Sequence, residues 1–576
     1  MYSLKYTEIL TKNRQLGEAL AGPPYKVALL SNIVVYQLKD ILECALRLQG
    51  VNAQVVVGEY DNIVQESIRL AGVDAAVIFW ETANLTDGLH YQAEIKEPAA
   101  IAALAEQVET EITSTLHILR HVPLILFNRF SSLLFDFHNL RPGVLDLLSE
   151  RLNEHLKAIG GSGLLLVDID RIIAQTGLNA AADFRQFQSS KILYSLPFLK
   201  TYSKQVEAAF KAVTGRSRKV LVMDCDNTLW GGILGEDGPG GIKIGEGSRE
   251  GRVFTEIQFL LKGLVRQGVL LALCSKNNHD EVGFILNNHP DMVLRPEDIA
   301  AQKINWEDKA SNITALAAEL NLGLDSFVFV DDSAFEIDLV SSRLPEVRCV
   351  MVPRQLYEYP SILRSLAGEF FNLKTTSEDS EKTAMYQQEQ ARRNEARQFA
   401  SLEDYLSSLK LKITVRNGAA VTVSRAAQLA QKTNQFNLTT RRYTEIDIKR
   451  MTEDPAWLVF SFSVEDRHGG YGETGLLTAH LTVESGEARI DGFLISCRVL
   501  GRNVEYAFWD FIVQKLRAMG VRRMRGEYIR TSKNEQVSDF FPGLGFETVS
   551  GSQDHMVYLL DLGSYKPKNI QYIEVN

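Results

Sequence analysis

The sequence predicts a multidomain α/β protein, and three observations carry that expectation. The chain has 576 residues, which at roughly 100–200 residues per domain calls for about three to four domains. Two successive stretches alternate short apolar runs with helical patterns, as parallel strands do when helices cover both faces of their sheet. The last part places alternating strands before a helix, an α+β pattern. Apolar residues make up 45% and charged residues 23%, which argues against a fibrous repeat, a coiled coil or extended disorder.

In order along the chain, the apolar runs 25–30, 54–57, 75–79, 123–127 and 164–168 read as buried strands. Amphipathic segments at 35–48 and 101–119 lie between them. Together they predict a first α/β domain over residues 1–200. A second series predicts strands at 220–223, 269–274, 292–294 and 327–330 and a second α/β domain over 215–355. Residues 375–411 are rich in Glu, Gln, Arg and Ser and lack Pro and Gly. They read as a solvated helical linker, with Ser401 as the N-cap of a further helix. Residues 412–565 form the α+β part, with strands at 457–464, 475–483 and 488–495 and a helix at 503–519.

Charge and cysteine usage narrow the class. Lys plus Arg number 62 against 72 Asp plus Glu, a net charge of −10. Non-specific nucleic-acid binding needs a basic stripe, and an anionic membrane would repel this field, so neither partner is expected. Cys44, Cys225, Cys274, Cys349 and Cys497 are far apart with no CxxC spacing, which predicts a reducing compartment and no structural zinc. The start shows no signal-peptide pattern. No apolar run approaches the roughly 20 residues of a spanning helix. The sequence reads as soluble and cytoplasmic.

The chemistry concentrates at strand ends. The run Val-Leu-Val-Met-Asp224-Cys225-Asp226-Asn227-Thr228 ends a buried strand in carboxylates at i and i+2, which face the same way in extended chain. In a parallel sheet the ligand site lies beyond the carboxyl ends of the strands. Leu-Ala-Leu-Cys274-Ser275-Lys276-Asn277 brings a hydroxyl to that edge, and Phe-Val-Asp331-Asp332-Ser-Ala-Phe-Glu336 brings more carboxylates. Lys309 starts a helical stretch between them. Several carboxylates suit Mg²⁺, a hard ion that prefers oxygen ligands. A hydroxyl and an ammonium suit phosphate oxygens. One aspartate can then attack phosphorus while its neighbour handles a proton.

This order (DxDxT, Ser, Lys, DDxxxE) resembles the haloacid-dehalogenase (HAD) phosphatase superfamily. The resemblance implies a HAD-like Rossmannoid α/β domain with Asp224 as nucleophile and Asp226 as general acid/base, its backbone carbonyl on the metal. Thr228, Ser275 and Lys309 would hold phosphate, with Asn277 beside them. Asp332 would bind Mg²⁺ with Asp224, supported by Asp331 or Glu336. The interval from Thr228 to Ser275 holds a Gly-rich flap (231–251) and one helix. The interval from Ser275 to Lys309 is also short. Neither can hold a large cap domain, so an open site is expected, suited to a phosphate carried on something large.

The segments DCDNTLWGGILGEDGPGGI, LCSKNN, LRPEDIAAQKINWEDKASNI and LNLGLDSFVFVDDSAFE look more narrowly like the FkbH-like family, most densely at 218–353. That resemblance implies a glyceryltransferase/phosphatase of polyketide biosynthesis. Such an enzyme takes glyceryl from 1,3-bisphosphoglycerate, removes its 3-phosphate and loads it as a thioester on the phosphopantetheine arm of an acyl carrier protein. Acyl transfer needs a thiol, and Cys225 is the expected carrier. In a regular strand, however, position i+1 points away from Asp224 and Asp226, so only a break at the strand end would bring Cys225 to the site. Cys274 is expected to be a buried hydrophobe.

Residues 1–200 resemble a degenerate SGNH-hydrolase domain, with Ser31 after a strand and Asn84 as its oxyanion residue. Asp168 and Asp170 are followed by Arg171 rather than a histidine, so the serine has no base, and a carrier-protein dock or scaffold is expected. The C-terminal part is similar to GNAT acetyltransferases. Arg498, Gly501 and Asn503 fall at that fold's pyrophosphate loop, an expected pantetheine/CoA site, with Asn503 in place of the usual small residue. Phe541 to Phe546, through Gly545, looks like the fold's late strand-entry motif. His468 and Glu473 lie in a polar, Gly-rich stretch that offers catalytic side chains, and a solvated loop is the expected reading. Two other functional readings stay open at this point: a plainer phosphatase acting on a free metabolite or phosphoprotein, and a non-catalytic carrier-protein scaffold.

Overall fold

The short apolar runs become the strands of two parallel five-stranded sheets, and the C-terminal alternating segments build a third, mixed sheet. The computed structural model describes the chain except residues 136–139, 162, 374–380, 397–398, 400, 483–484, 532 and 553. It falls into two units, Met1–Thr214 with Thr444–Asp447, and Gly215–Tyr443 with Ile448–Asn576.

In the first unit, β1 (Tyr25–Ser31), β2 (Ala53–Val57), β3 (Ala75–Phe79), β4 (Leu124–Asn128) and β5 (Leu164–Val167) align in the order β2-β1-β3-β4-β5. Every residue of β3 and β4 is buried, as a central parallel strand requires. The helices Tyr36–Leu48 and Pro98–Ile118 match the predicted amphipathic segments. The helix Leu196–Val213 packs on Tyr36–Leu48 and Ile169–Thr176 and so carries this unit past residue 200.

The second sheet comprises β6 (Val220–Met223), β7 (Leu270–Ser275), β8 (Ile299–Ile304), β9 (Phe327–Asp331) and β10 (Arg348–Met351), in the order β10-β9-β6-β7-β8. Alternate residues of β6 enter two cores. Leu221 and Met223 join one with Cys225, whereas Val220 and Val222 join the other with Cys274. The strand expected at 292–294 lies instead at β8. The amides of Val293 and Leu294 bond the Gln258 side-chain oxygen, at 2.9 and 3.2 Å, rather than a neighbouring strand. That oxygen belongs to a helix distant in sequence, so the apolar run alone could not reveal the difference.

The third sheet comprises β11 (Leu411–Asn417), β12 (Phe436–Asn437), β13 (Trp457–Asp466), β14 (Gly469–Thr482), β15 (Glu487–Ile495), β16 (Arg523–Ile529), β17 (Glu547–Gly551), β18 (His555–Asp561) and β19 (Ile573–Val575). It begins at Leu411 and returns to β19, beyond the expected limits of 412 and 565. β15 and β16 pair in parallel only at Glu487–Arg489. At the far end of β15, β12 pairs with Leu494 and Ile495, and the amide of Ile529 donates to the carbonyl of Leu438. The protein's own segment thus links the two strands where they diverge.

Within 375–411, the helices Lys382–Ala396 and Leu402–Leu409 form, and Ser401 accepts the Asp404 amide at 3.1 Å as the N-cap. Part of this expected linker lies outside the described residues. The first helix is not simply solvated. Arg392 is 1% exposed and grips Asp466 with two bonds of 2.8 and 2.9 Å, and Gln387 donates to the Pro296 and Ile299 carbonyls. A two-pronged guanidinium–carboxylate match tolerates burial that the polar composition did not suggest. Among the described residues, no helix is long and apolar enough to cross a membrane.

Candidate active site

At the carboxyl edge of the second sheet, two strand ends and one helix start bring charged groups together. Asp224 follows β6, and its amide bonds the Val330 carbonyl of β9 at 3.1 Å, so the ends of β6 and β9 are locked side by side. Asp331 closes β9. Lys309 opens the helix Lys309–Leu320, which Asp308 caps by accepting the Ser311 amide at 2.9 Å. The cap fixes where the helix starts and therefore where the lysine projects. Its Nζ lies 2.8 Å from Asp224 Oδ1 and 2.5 Å from Asp331 Oδ2. All three side chains are nearly fully buried.

Asp224, Asp331 and Asp332 offer carboxylate oxygens within 4.8 Å of one another. Three carboxylates face one ammonium, leaving an excess of negative charge in a site withdrawn from water. Burial, then the charge of Asp224, push Asp331 up to about 6, with Lys309 offsetting part of the rise. The same two causes raise Asp332, which the Asn227 amide partly counters. Burial opposes the charge of Lys309, but Asp224 and Asp331 outweigh it and hold the ammonium above its usual range. An all-oxygen anionic set of this kind fits a hard dication.

Asp226 shares the edge but not that cluster. Its Oδ1 accepts from the Trp230 indole at 2.9 Å and the Leu234 amide at 3.0 Å, and its Oδ2 accepts from Asn277 at 3.1 Å. Burial raises it despite these bonds. Trp230 and Asn227 are the residues that sequence reasoning missed. Asn227 takes a left-handed conformation, φ 53°, and accepts the Gly232 amide at 3.0 Å. Asn tolerates that conformation better than most residues. Its place directly after two aspartates was the one available signal. Trp230 joins the site only because the chain turns back on itself after Thr228.

Thr228 and Ser275 are buried at the same edge, 0% and 2% exposed. The Thr228 hydroxyl has no hydrogen-bond partner among the described residues, a rare state that a ligand oxygen would relieve. Glu336 is bound by Lys276 at 2.6 Å and lies outside the carboxylate cluster. The flap 231–251 holds the short helix Leu234–Asp237 and the first residues of the helix Arg249–Arg266, and β8 with one α-helix fills the interval from Ser275 to Lys309.

Cys225 does not come forward. It is 0% exposed within the apolar core under β6. Burial first, and the Asp224 charge second, push its thiol well above the ordinary range, and the Ser275 hydroxyl offsets only part of this. The strand ends at Met223 and the chain turns there, the Cys225 carbonyl accepting the Thr228 and Leu229 amides, but the turn leaves the Cys225 side chain in the core. Cys274 is buried on the opposite face, its thiol pushed up to about 12 by burial.

The other expected positions have different surroundings. The Ser31 hydroxyl accepts the Ile33 amide at 3.1 Å. Asn84 donates to the Asn32 carbonyl and, at 3.0 Å, to Tyr60. Asp168 caps its own helix through Arg171 N at 3.1 Å, and Asp170 accepts from Ser131. In the C-terminal part, Gly501 and Asn503 are both left-handed, φ 79° and 63°, before the helix Val504–Ala518. Arg498 donates to Ser496 at 3.1 Å and touches the Met385 sulfur, and Asn503 donates to Tyr572 at 2.6 Å. Glu505, raised by burial, lies in the first turn of that helix. His468 stays in the turn between β13 and β14 and pairs with Glu395 at 2.8 Å, whereas Glu473 is a buried residue of β14 rather than a solvated loop residue.

No family model matches the chain, and no curated protein matches it. Among solved structures, the chain is similar to the N-terminal part of the protein BF1531 from Bacteroides fragilis, which contains a phosphatase domain and was solved with Mg. Identity is 26% and the TM-score is 0.57, over 64% of this chain and 100% of that one. The ribosomal-protein-S18-alanine N-acetyltransferase from Escherichia coli matches at 14% identity and a TM-score of 0.22, over 27% of this chain and 97% of its own. A putative GNAT-family acetyltransferase from Desulfovibrio desulfuricans matches at 14% and 0.21, over 26% and 99%. The chain is a multidomain α/β protein. The phosphatase-domain likeness and the aspartate–lysine cluster together indicate an enzyme.

Proposed function

We propose that this protein is a Mg²⁺-dependent phosphohydrolase working through Asp224, within a glyceryltransferase/phosphatase activity that serves an acyl carrier protein. The observation that carries the phosphatase reading is Lys309, bonded to Asp224 and Asp331 with Asp332 beside them. The presence of Mg in the similar phosphatase-domain structure supports the choice of metal. Asp224, Asp331 and Asp332 would hold the ion, which when bound supplies positive charge against the phosphoryl oxygens.

Lys309 pins Asp224 Oδ1 and leaves Oδ2 to attack phosphorus. A bond forms from that oxygen to phosphorus as the bond to the leaving oxygen breaks. Asp226, raised by burial and oriented by Trp230 and Asn277, acts as the general acid that gives a proton to the leaving oxygen. The Thr228 hydroxyl and Lys309 bind the transferred oxygens. Water then attacks the aspartyl-phosphate, Asp226 takes the proton, and inorganic phosphate leaves Asp224 restored.

The substrate side of the proposal rests on the sequence resemblance at 218–353 and on the small flap, which leaves room for a phosphate borne on a large carrier. In this reading glyceryl comes from 1,3-bisphosphoglycerate. The buried Cys225 favours the carrier's own phosphopantetheine thiol as the group that attacks the acyl phosphate, with the 3-phosphate then removed at Asp224. Intact-protein mass spectrometry tests both halves. Wild type, Mg²⁺, 1,3-bisphosphoglycerate and phosphopantetheinylated carrier should give a glyceryl mass on the carrier, and Cys225→Ala should do the same. Phosphate release without any acyl mass would remove the transferase half and leave the phosphatase.

A further inference from the structure

The second unit contains a large cavity at the end of its parallel sheet opposite to Asp224. It measures about 630 Å³ and is bordered by the residues that enter β6 and β9 and by the segments around β12 and the end of β15. That size lies within the roughly 300–1,000 Å³ of small-molecule sites. Lys219 lies just before β6, five residues ahead of Asp224, which at about 3.3 Å per residue separates the two by roughly 16 Å. The cavity is therefore distinct from the phosphatase site.

Its lining combines two features. Six Lys or Arg side chains border it against two carboxylates, Asp325 and Glu346. One of those carboxylates, Asp325, is already paired with Lys533. Lys219 extends its ammonium to the Lys432 carbonyl at 2.9 Å and has no ion pair among the described residues. A withdrawn ammonium with only a neutral acceptor is a costly arrangement that an anion would relieve. Leu322, Leu324 and Leu429 add an apolar patch to a wall that also carries neutral polar side chains such as Asn321, Gln428 and Asn434.

We propose that this cavity binds a small organic anion, with a phosphate or carboxylate head at Lys219 and an apolar body against Leu322, Leu324 and Leu429. The cation excess selects the head's charge, and the leucine wall selects a body that a free inorganic anion lacks. Phosphate and carboxylate heads share this chemistry and are distinguished by competition.

The test uses the full chain and 8-anilinonaphthalene-1-sulfonate, a fluorescent aromatic anion with this division of charge and apolar surface. Saturable one-to-one binding is expected. Octyl phosphate and octanoate serve as competitors, and the stronger one identifies the head. Lys219→Met should weaken the probe about tenfold or more, through loss of a charge-assisted contact, while the thermal melt stays cooperative. If Lys219→Met does not fold, Leu429→Trp, which fills the cavity, decides in its place and should abolish binding. Asp224→Asn should bind the probe as wild type does. Unsaturable binding, displacement by neither competitor, unchanged affinity in the deciding variant, or loss of binding in Asp224→Asn would each overturn the proposal.

Discussion

The two five-stranded parallel sheets of this protein end their strands very differently. In the first unit, Ser31, Asn32 and Asn84 at the sheet edge bond one another's backbone or a nearby amide. Their polar groups are satisfied by neutral partners, and the serine hydroxyl accepts a bond from Ile33 rather than giving its proton to a base. In the second unit, Asp224, Asp331 and Asp332 crowd around a single Lys309. Negative charge there exceeds what the protein neutralises. A polar strand end is thus not in itself a site. Charge left in surplus at a buried edge is what calls for a ligand.

The largest expected effect falls on Asp224. Asp224→Asn should lower phosphate release from p-nitrophenyl phosphate by about 10³-fold or more, since the nucleophile itself is lost. Ser31→Ala should leave the rate within twofold or so of wild type, as expected of a satisfied hydroxyl. A large loss in Ser31→Ala would collapse the contrast between the two edges.

Lys309→Met should leave two carboxylates buried without their cation, costing about 3–5 kcal/mol in chemical denaturation without metal. Mg²⁺ should then restore more stability to this variant than it adds to wild type. Equal Mg²⁺ increments would mean that the carboxylates do not form the ion's site.

Metal should also separate the units. Mg²⁺ at about 100 times its dissociation constant should protect the second sheet by about 2.7 kcal/mol in hydrogen exchange and leave β3 and β4 unaffected. Asp332→Asn should reduce that protection. Uniform protection of both sheets would refute the assignment.

The first unit has a pH response of its own. Glu81 is buried, and burial pushes it up to about 7, even though Tyr194 donates to it at 2.7 Å. The folded unit holds this proton more tightly than the unfolded chain does. The stabilisation is complete below about pH 4.5 and is lost as pH rises through about 7, a change of up to about 3 kcal/mol. Glu81→Gln should flatten this slope, read by exchange of the β3 amides at pH 5 and pH 8. The smallest effect belongs to Cys225→Ala, which trims one buried sulfur. It should cost about 1 kcal/mol of stability and leave phosphatase turnover near wild type.

The sequence was legible where a signal is local. β3, β4, β6, β7 and β9 follow apolar runs bounded by turns, because a strand buried on both faces must be apolar throughout. The i and i+2 spacing of Asp224 and Asp226 put both at one strand end. Short or half-exposed strands escaped: β10 alternates little, and β12 has only two residues. β8 was displaced because the burial of Met292 and Leu294 comes from a helix rather than a sheet.

What the sequence by itself determined is the α/β class, the order of the strand-end residues, and the absence of room for a large cap. All three depend on neighbours along the chain. Tertiary structure alone decided which of those residues meet. It joined Lys309 to Asp224 and Asp331, turned Asp226 toward Trp230 and Asn277, and left Cys225 in the core. It also placed Lys219 in a cavity wall with no ion pair among the described residues. Contacts between residues far apart in sequence arise from how strands and helices pack, and a spacing pattern carries no information about that distance.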